Sequence, residues 1–370
     1  MYSNNDRITY YQIINILVLT LIGVGVLTLP RELIGMAKTD GWLLLIIGGT
    51  ISMGIAYIHG YIIKAFPRKK YFDILSLTLT KPIAYLFSVF FIIYLVGTNG
   101  FLLRILAEVI KVFLLPRTPI EVIFIGMLFV VAYSARLGIE PLGRITNILF
   151  PGLIVFVIAM FALTFANVDF TNLLPIFQTP PDQMLRGLNI VVFSFLGFEL
   201  LLVFGAFLDK PQKAPRIGPI AVFLVLIVYL ILNLSVLANF GVYNTERLIW
   251  PTLSVFETIE FPGAFIENVQ IIIMSIWVYT IFMTIAPMYL ASSILMGQVM
   301  GGREQNYFVL PLVPIVYFVA LYSDSIADVY KDFGTFSDYT VYFIVLGMPI
   351  AILIGMMVRK MLKNKDNQST

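Results

Sequence analysis

Long apolar runs recur along the chain, separated by short polar or proline-bearing connections. A helix needs about 20 apolar residues to cross the hydrocarbon core of a bilayer. On that criterion the pattern predicts ten spans, at roughly 10–37, 41–65, 82–115, 119–136, 143–166, 184–208, 217–242, 266–300, 307–323 and 338–360. The longest connections, near 167–183 and 243–265, both contain prolines, and no stretch is left over for a soluble domain. Two of the runs are interrupted. The first contains "LIGVGVLTLP", with Gly23 and Gly25 in its middle, and the sixth contains "FLGFE", with Gly197 and a lone acid, Glu199. Gly197 follows Gly25 by 172 positions, and each glycine falls near the middle of the first span of a five-span half.

That spacing predicts an all-α integral membrane protein of ten transmembrane helices in a five-plus-five inverted repeat, helices 1 and 6 interrupted. The chain is one membrane domain, with 10–166 as the first repeat and 184–323 plus 338–360 as the second. Five spans per half put the second half into the membrane upside down relative to the first, and paired interruptions at matching places point to a midplane binding site. Unwound backbone in lipid is tolerated only around a protein-lined cavity. There, half-helix N-termini favour an anion and half-helix C-termini a cation, which together suit a small amino acid. Close packing of small residues between helices is the other use of such glycines. Pro30 is a point where the second half-helix can bend, and Arg31 and Glu32 form the outer rim of the binding site. Glu199 fits either a cap on a half-helix, where negative charge is favoured, or a ligand or proton contact.

Composition agrees with the hydropathy. Of 370 residues, 59% are hydrophobic and 12% charged, against about 25% charged in soluble domains. The absence of cysteine excludes disulfides and thiolate chemistry, and the single histidine, His59, excludes multi-histidine metal sites. His59 is expected to be a packed, hydrogen-bonded residue. No nucleophile–base set, phosphate loop or metal cluster appears, so neither an enzyme nor a cofactor is implied, and the small net charge of +3 argues against nucleic acid. With the N-terminus inside, Lys and Arg fall more than twice as often on inner segments, such as Arg68, Lys69, Lys70, Lys210 and Arg359, as on outer ones, such as Arg117 and Arg247. The positive-inside rule therefore places both termini in the cytoplasm, and the polar tail from 359 is expected to be disordered.

Within span three, Tyr94, Gly97, Phe101, Arg104 and Glu108 share one helical face. Arg104 and Glu108 form an i,i+4 intramembrane ion pair, and Tyr94 is a candidate pocket wall. In span eight, Thr280 and Thr284 precede Pro287, which frees a carbonyl, and their hydroxyls can hydrogen-bond that carbonyl or a ligand. Ser292 and Ser293 are weak candidates for holding sodium.

"IGVGVLTLP" and "FSFLGFE" resemble signatures of the amino acid–polyamine–organocation permeases, whose fold is the LeuT-like inverted repeat. "ARLGIEPLGRI" (135–145), "NLLPIF" (172–177) and the span count resemble, more narrowly, the spore germination permeases, the B subunits of GerA-type nutrient germinant receptors. Arg136, Glu140 and Arg144 could also ladder along a short helix, although Pro141 opposes a continuous one. The resemblance covers the whole chain. It implies a subunit that binds a nutrient in a permease-type pocket and signals, with an A-type membrane subunit and a C-type lipoprotein, in the spore inner membrane. By position, the ligand would meet Gly23, Val24, Gly25, Val26, Phe195, Leu196, Gly197 and Thr284, with Tyr94 and Glu199 beside them. A proton- or sodium-coupled amino-acid transporter is the alternative.

Overall fold

The computed structural model of the protein describes residues 7–164, 168–257 and 269–366. The first apolar run forms two helices, α1 (Tyr10–Ile22) and α2 (Gly25–Ala37). A capping box starts α1: the Thr9 hydroxyl accepts from the Gln12 N–H, and the Gln12 side chain accepts from the Thr9 N–H at 2.8 Å. The next helices are α3 (Gly41–Ala65), α4 (Tyr71–Thr78), α5 (Lys81–Phe113), α6 (Ile120–Leu137) and α7 (Ile139–Thr164). After the connection come α8 (Pro181–Ser194), the one-turn α9 (Leu201–Phe204), the long α10 (Ala214–Arg247) and α11 (Pro251–Glu257). Then follow α12 (Val269–Val299), α13 (Asn306–Ala320), α14 (Ile326–Tyr342) and α15 (Met348–Asp366).

Among the described residues, seven helical stretches are long and apolar enough to cross a membrane, or eight if Pro181–Ser194 and Phe198–Phe207, bent by 49°, make one span. α1 and α13 are apolar but shorter. One stretch, Gly25–Ala65, holds both α2 and α3, and the chain turns between them at Lys38. In lipid, helices associate through close packing and hydrogen bonds, because the tails are as apolar as the side chains. α3 runs along α10, α5 runs along α12, and α1 is enclosed by α7, α10 and α12. The first broken helix therefore lies at the centre of the bundle, and the site described below is built around it.

Three expectations are corrected. The tenth run begins at Ile326 rather than 338. Asp328, Lys331, Thr335 and Asp338 lower its mean hydropathy, yet they recur at helical spacing on the exposed side, while Val329, Phe333 and Phe336 turn inward. A short π-helical segment, Phe343–Gly347, then joins α14 to α15. The tail expected to be disordered continues α15 as far as Asp366, with 367–370 outside the described residues. Finally, the Arg136–Glu140–Arg144 ladder is broken. Gly138, at φ +91°, ends α6, leaving Arg136 on one helix and Glu140 and Arg144 on the next. Only Glu140 and Arg144 pair, at 2.5 Å. Pro141 is accommodated because it stands in the first turn of α7, where its missing N–H has no intrahelical partner. Residues 165–166 of span five, 258–265 of the second long connection and 266–268 of span eight lie outside the described residues.

Candidate functional site

The two breaks lie against each other. Gly23 ends α1 with φ +27° and ψ −128°, a conformation that L side chains rarely adopt. Gly197 has φ +127°, and a Cβ there would stand 3.0 Å from Thr20 Cγ2 and 3.1 Å from Leu21 Cδ1. Glycine at 197 thus serves both the backbone turn and the approach of the second break to the last turn of α1.

Breaking a helix exposes carbonyls and N–H groups, and the sequence supplies partners for several of them. Pro30 has no N–H to offer the Val26 carbonyl, and the Thr252 hydroxyl of α11 donates to it at 2.7 Å instead. Pro287 likewise leaves the Met283 carbonyl free. The Thr20 hydroxyl, which donates to Ile16 O at 2.7 Å, also lies 3.3 Å from Met283 O. Thr284 Oγ1 stands 3.3 Å from both Thr280 O and Leu19 O, stitching α12 to α1. The hydroxyls of Ser292 and Ser293 donate to Tyr289 O and Leu290 O of their own helix.

At the second break, Glu199 is fully buried. One carboxylate oxygen accepts from the Gly197 N–H at 2.7 Å and the other from the Tyr94 hydroxyl at 2.9 Å. The Glu199 carboxylate thus folds back onto the N–H of Gly197, the residue just before the short helical run that begins at Phe198. His59 packs its ring edge-on against Phe198, 5.2 Å between centroids, with Nδ1 3.0 Å from Ile55 O.

A cavity of about 90 Å³ opens between the breaks. Thr20, Leu21, Gly23, Val24 and Gly25 line one side and Phe193, Ser194 and Leu196 another. α5 contributes Tyr94, Thr98 and Leu102, α12 contributes Thr284 and Met288, and α14 contributes Phe333 and Ser337. No charged side chain lines it among the described residues. Thr98 is 5% exposed, and its buried hydroxyl has no hydrogen-bond partner among the described residues. A buried hydroxyl left alone is unfavourable by about 1–3 kcal/mol, so this wall is a place where a polar ligand atom would be stabilised. The first N–H groups of α2 favour negative charge, and of these the Leu27 N–H already donates to Val24 O at 2.9 Å.

Of the residues named from sequence, the cavity gathers Gly23, Val24, Gly25, Tyr94, Leu196 and Thr284. Val26, Phe195, Gly197 and Glu199 stand outside its lining: Val26 through its carbonyl on Thr252, Glu199 one residue removed through Tyr94. Sequence reasoning missed Thr98, which lies one turn from Tyr94 on the face already singled out, as well as Phe333 and Ser337 on the unforeseen α14. It also missed Tyr229. Arg104 and Glu108 do pair, at 2.9 Å. Arg104 also reaches Asp324 O at 3.2 Å and Ala320 O at 3.4 Å, so it ties α5 to the end of α13. Among the described residues no three His, Cys, Asp or Glu side chains gather as a metal site.

The "NLLPIF" stretch is held by Asp40. Its carboxylate accepts from the N–H groups of Phe177 at 2.5 Å and of Gln178 and Thr179 at 2.8 Å, and Asn172 donates to Ala238 O of α10 at 3.0 Å. Nearby, the hydroxyl and N–H of Thr171 hold the exposed Asp169 carboxyl below the usual carboxylate range.

Among the described residues, then, the protein is all-helical, with several helices able to cross a membrane and two broken helices meeting at a small cavity lined by no charged side chain. The model of the spore germination protein family, the spore permeases, matches residues 7–329, and this chain belongs to that family. It is similar to spore germination protein YndE of Bacillus subtilis (strain 168), 26% identical over 355 residues, 96% of this chain and 97% of that protein. It is also similar to spore germination protein GerLB of Bacillus cereus, 26% identical over 95% of this chain and 94% of the relative. Spore germination protein A2 of Bacillus subtilis (strain 168) is 28% identical over 92% of each chain.

Proposed function

We propose that this chain is the membrane subunit of a spore nutrient germinant receptor and that a small nutrient, an amino acid, binds in the cavity between the breaks. In this reading the chain has ten spans in a five-plus-five inverted repeat, α1–α2 and α8–α9 being the interrupted first and sixth. Both termini are cytoplasmic, the membrane is the spore inner membrane, and the partners are an A-type membrane subunit and a C-type lipoprotein. Ligand binding shifts the chain between two states by as much as the ligand's affinity for them differs.

The observation that carries the reading is the unpartnered Thr98 hydroxyl in an uncharged cavity bounded by both breaks. The size suits the ligand. At ~10–15 Å³ for each water-sized group, a cavity of about 90 Å³ has room for roughly six to nine, the scale of a small amino acid. The carboxylate would face the N–H groups that open α2, and the aliphatic part would lie toward Leu102, Met288 and Phe333. Such a ligand has net charge near zero, in keeping with a lining without charged side chains.

Thr98→Val tests this. The hydroxyl has no partner to lose among the described residues, so the variant is expected to accumulate in spores as the wild type does. The nutrient concentration for half-maximal germination is expected to rise about two- to tenfold, the equivalent of one hydrogen bond of ~0.5–1.5 kcal/mol. An unchanged dose–response across a panel of amino acids would overturn the site. Uptake of labelled amino acid into proteoliposomes by this chain alone would favour the coupled transporter instead.

A further inference from the structure

Tyr229 belongs to α10, outside both broken helices, yet its hydroxyl lies where their carbonyl ends meet. It donates to Leu21 O at 2.8 Å, with Ser194 O at 3.2 Å and Ile22 O at 3.3 Å around the same oxygen. Leu21 and Ile22 close α1, and Ser194 closes α8. The last carbonyls of a helix have no intrahelical partner, and here those of two helices converge on one proton. The ring is fully buried, with Phe195 of the second break tilted against it at 5.4 Å between centroids. Tyr229 does not line the cavity.

The same hydroxyl accounts for Gly25. A Cβ at position 25 would stand 2.6 Å from Tyr229 Oη, closer than such contacts are found, and 3.3 Å from Tyr229 Cζ. The backbone places no such demand, because Gly25 is the first residue of α2 and its φ is not positive. The two glycines of "GVG" thus have different origins: Gly23 meets a backbone requirement, while Gly25 makes room for a phenol.

We propose that Tyr229 is a positioning residue that fastens the two breaks to each other from behind the cavity, and that Gly25 is glycine in order to admit its hydroxyl. Tyr229 sets the spacing of the backbone that walls the cavity without touching a ligand. The consequence for nutrient response rests on the cavity being the ligand site; the fastening itself does not.

The test is a double-mutant cycle in the assembled receptor, with Gly25→Ala, Tyr229→Phe and the two combined. Three quantities are read: protein level in spore membranes, the nutrient concentration for half-maximal germination, and the midpoint of thermal unfolding of the detergent-purified chain. Gly25→Ala is expected to cut the protein level severalfold or raise the half-maximal concentration at least tenfold. Tyr229→Phe is expected to raise that concentration about three- to tenfold with protein level nearly kept. The double variant removes the clashing oxygen, leaves Cζ as the nearest atom, and is expected to behave like Tyr229→Phe alone, a rescue of Gly25→Ala. Independent, multiplying losses in both the double variant's response and its unfolding midpoint would overturn the proposal, as would a Tyr229→Phe variant unchanged in every readout. Rescue of the unfolding midpoint with a flat dose–response in all three variants would uphold the fastening and overturn the cavity as the ligand site.

Discussion

Replacing Glu199 separates a cap from a chemical group. Gln keeps the shape. Its amide oxygen can accept from the Gly197 N–H, now 2.7 Å from a carboxylate oxygen, and its NH2 can donate to the Tyr94 oxygen, 2.9 Å from the other. Both hydrogen bonds survive with charge assistance lost. That difference is about 1–1.5 kcal/mol per bond, and roughly 0.3–1 kcal/mol of helix-end electrostatics goes with it. Relief from burying a charge offsets part of the loss. The net expectation for Glu199→Gln is about 1–2 kcal/mol of destabilisation. Ala leaves two buried donors unpaired, about 1–3 kcal/mol each, and a void besides, for a total near 3–6 kcal/mol. Because membrane-embedded hydrogen bonds average nearer ~0.6 kcal/mol, the lower end applies. Thermal unfolding of the detergent-purified chain and protein level in spore membranes measure the order wild type, Gln, Ala. Equal destabilisation by Gln and Ala would refute the capping argument. So would a Gln variant that is stable and assembled yet blind to nutrient, because the charge itself would then be what matters.

Gly23→Ala is expected to cost several-fold in membrane protein level, and combining it with Thr284→Ala is expected not to restore it. The Thr284 side chain at 3.1 Å is removable, but the backbone conformation at φ +27° is not; quantitative immunoblotting of spore membranes gives the answer. Arg104→Lys is expected to lower the unfolding midpoint because an ammonium cannot serve Glu108, Ala320 O and Asp324 O at once. Arg104→Met is expected to lower it further by leaving the partly buried Glu108 unpaired. Asp40→Asn leaves one of three backbone N–H groups of 177–179 facing an amide donor, and faster proteolytic nicking of that connection in purified protein is the expected sign.

Both helix breaks were legible because glycine and a lone acid are conspicuous in apolar runs, and the Arg104–Glu108 pair because four-residue spacing places two charges side by side. What escaped notice shares a physical cause. The partners of Tyr229 are carbonyls, which every residue carries, so nothing distinguished it among 19 tyrosines. Arg104's other partners are likewise carbonyls, that of Ala320 at the end of α13 and that of Asp324 in the connection beyond it. α14 was hidden by its polar side, since mean hydropathy over a run discards the periodicity that defines an amphipathic helix. Thr98 could have been found: it is one turn from Tyr94 on a face already recognised. Gly25 was legible as a glycine but not in its reason, which lies 204 positions away at Tyr229.

Ahead of α1, Ile8 forms an isolated parallel bridge with Leu208: its N–H donates to Phe207 O at 3.0 Å, and its carbonyl accepts from the Asp209 N–H at 3.1 Å. The near end of the first broken helix is therefore knotted to the far end of the second, and Tyr229 joins them again at their breaks. Two attachments along one line make the pair of half-helices a single lever. Tilting either one alone would break the backbone hydrogen bonds at Ile8 or the cluster at Tyr229, so these contacts favour the two half-helices moving together.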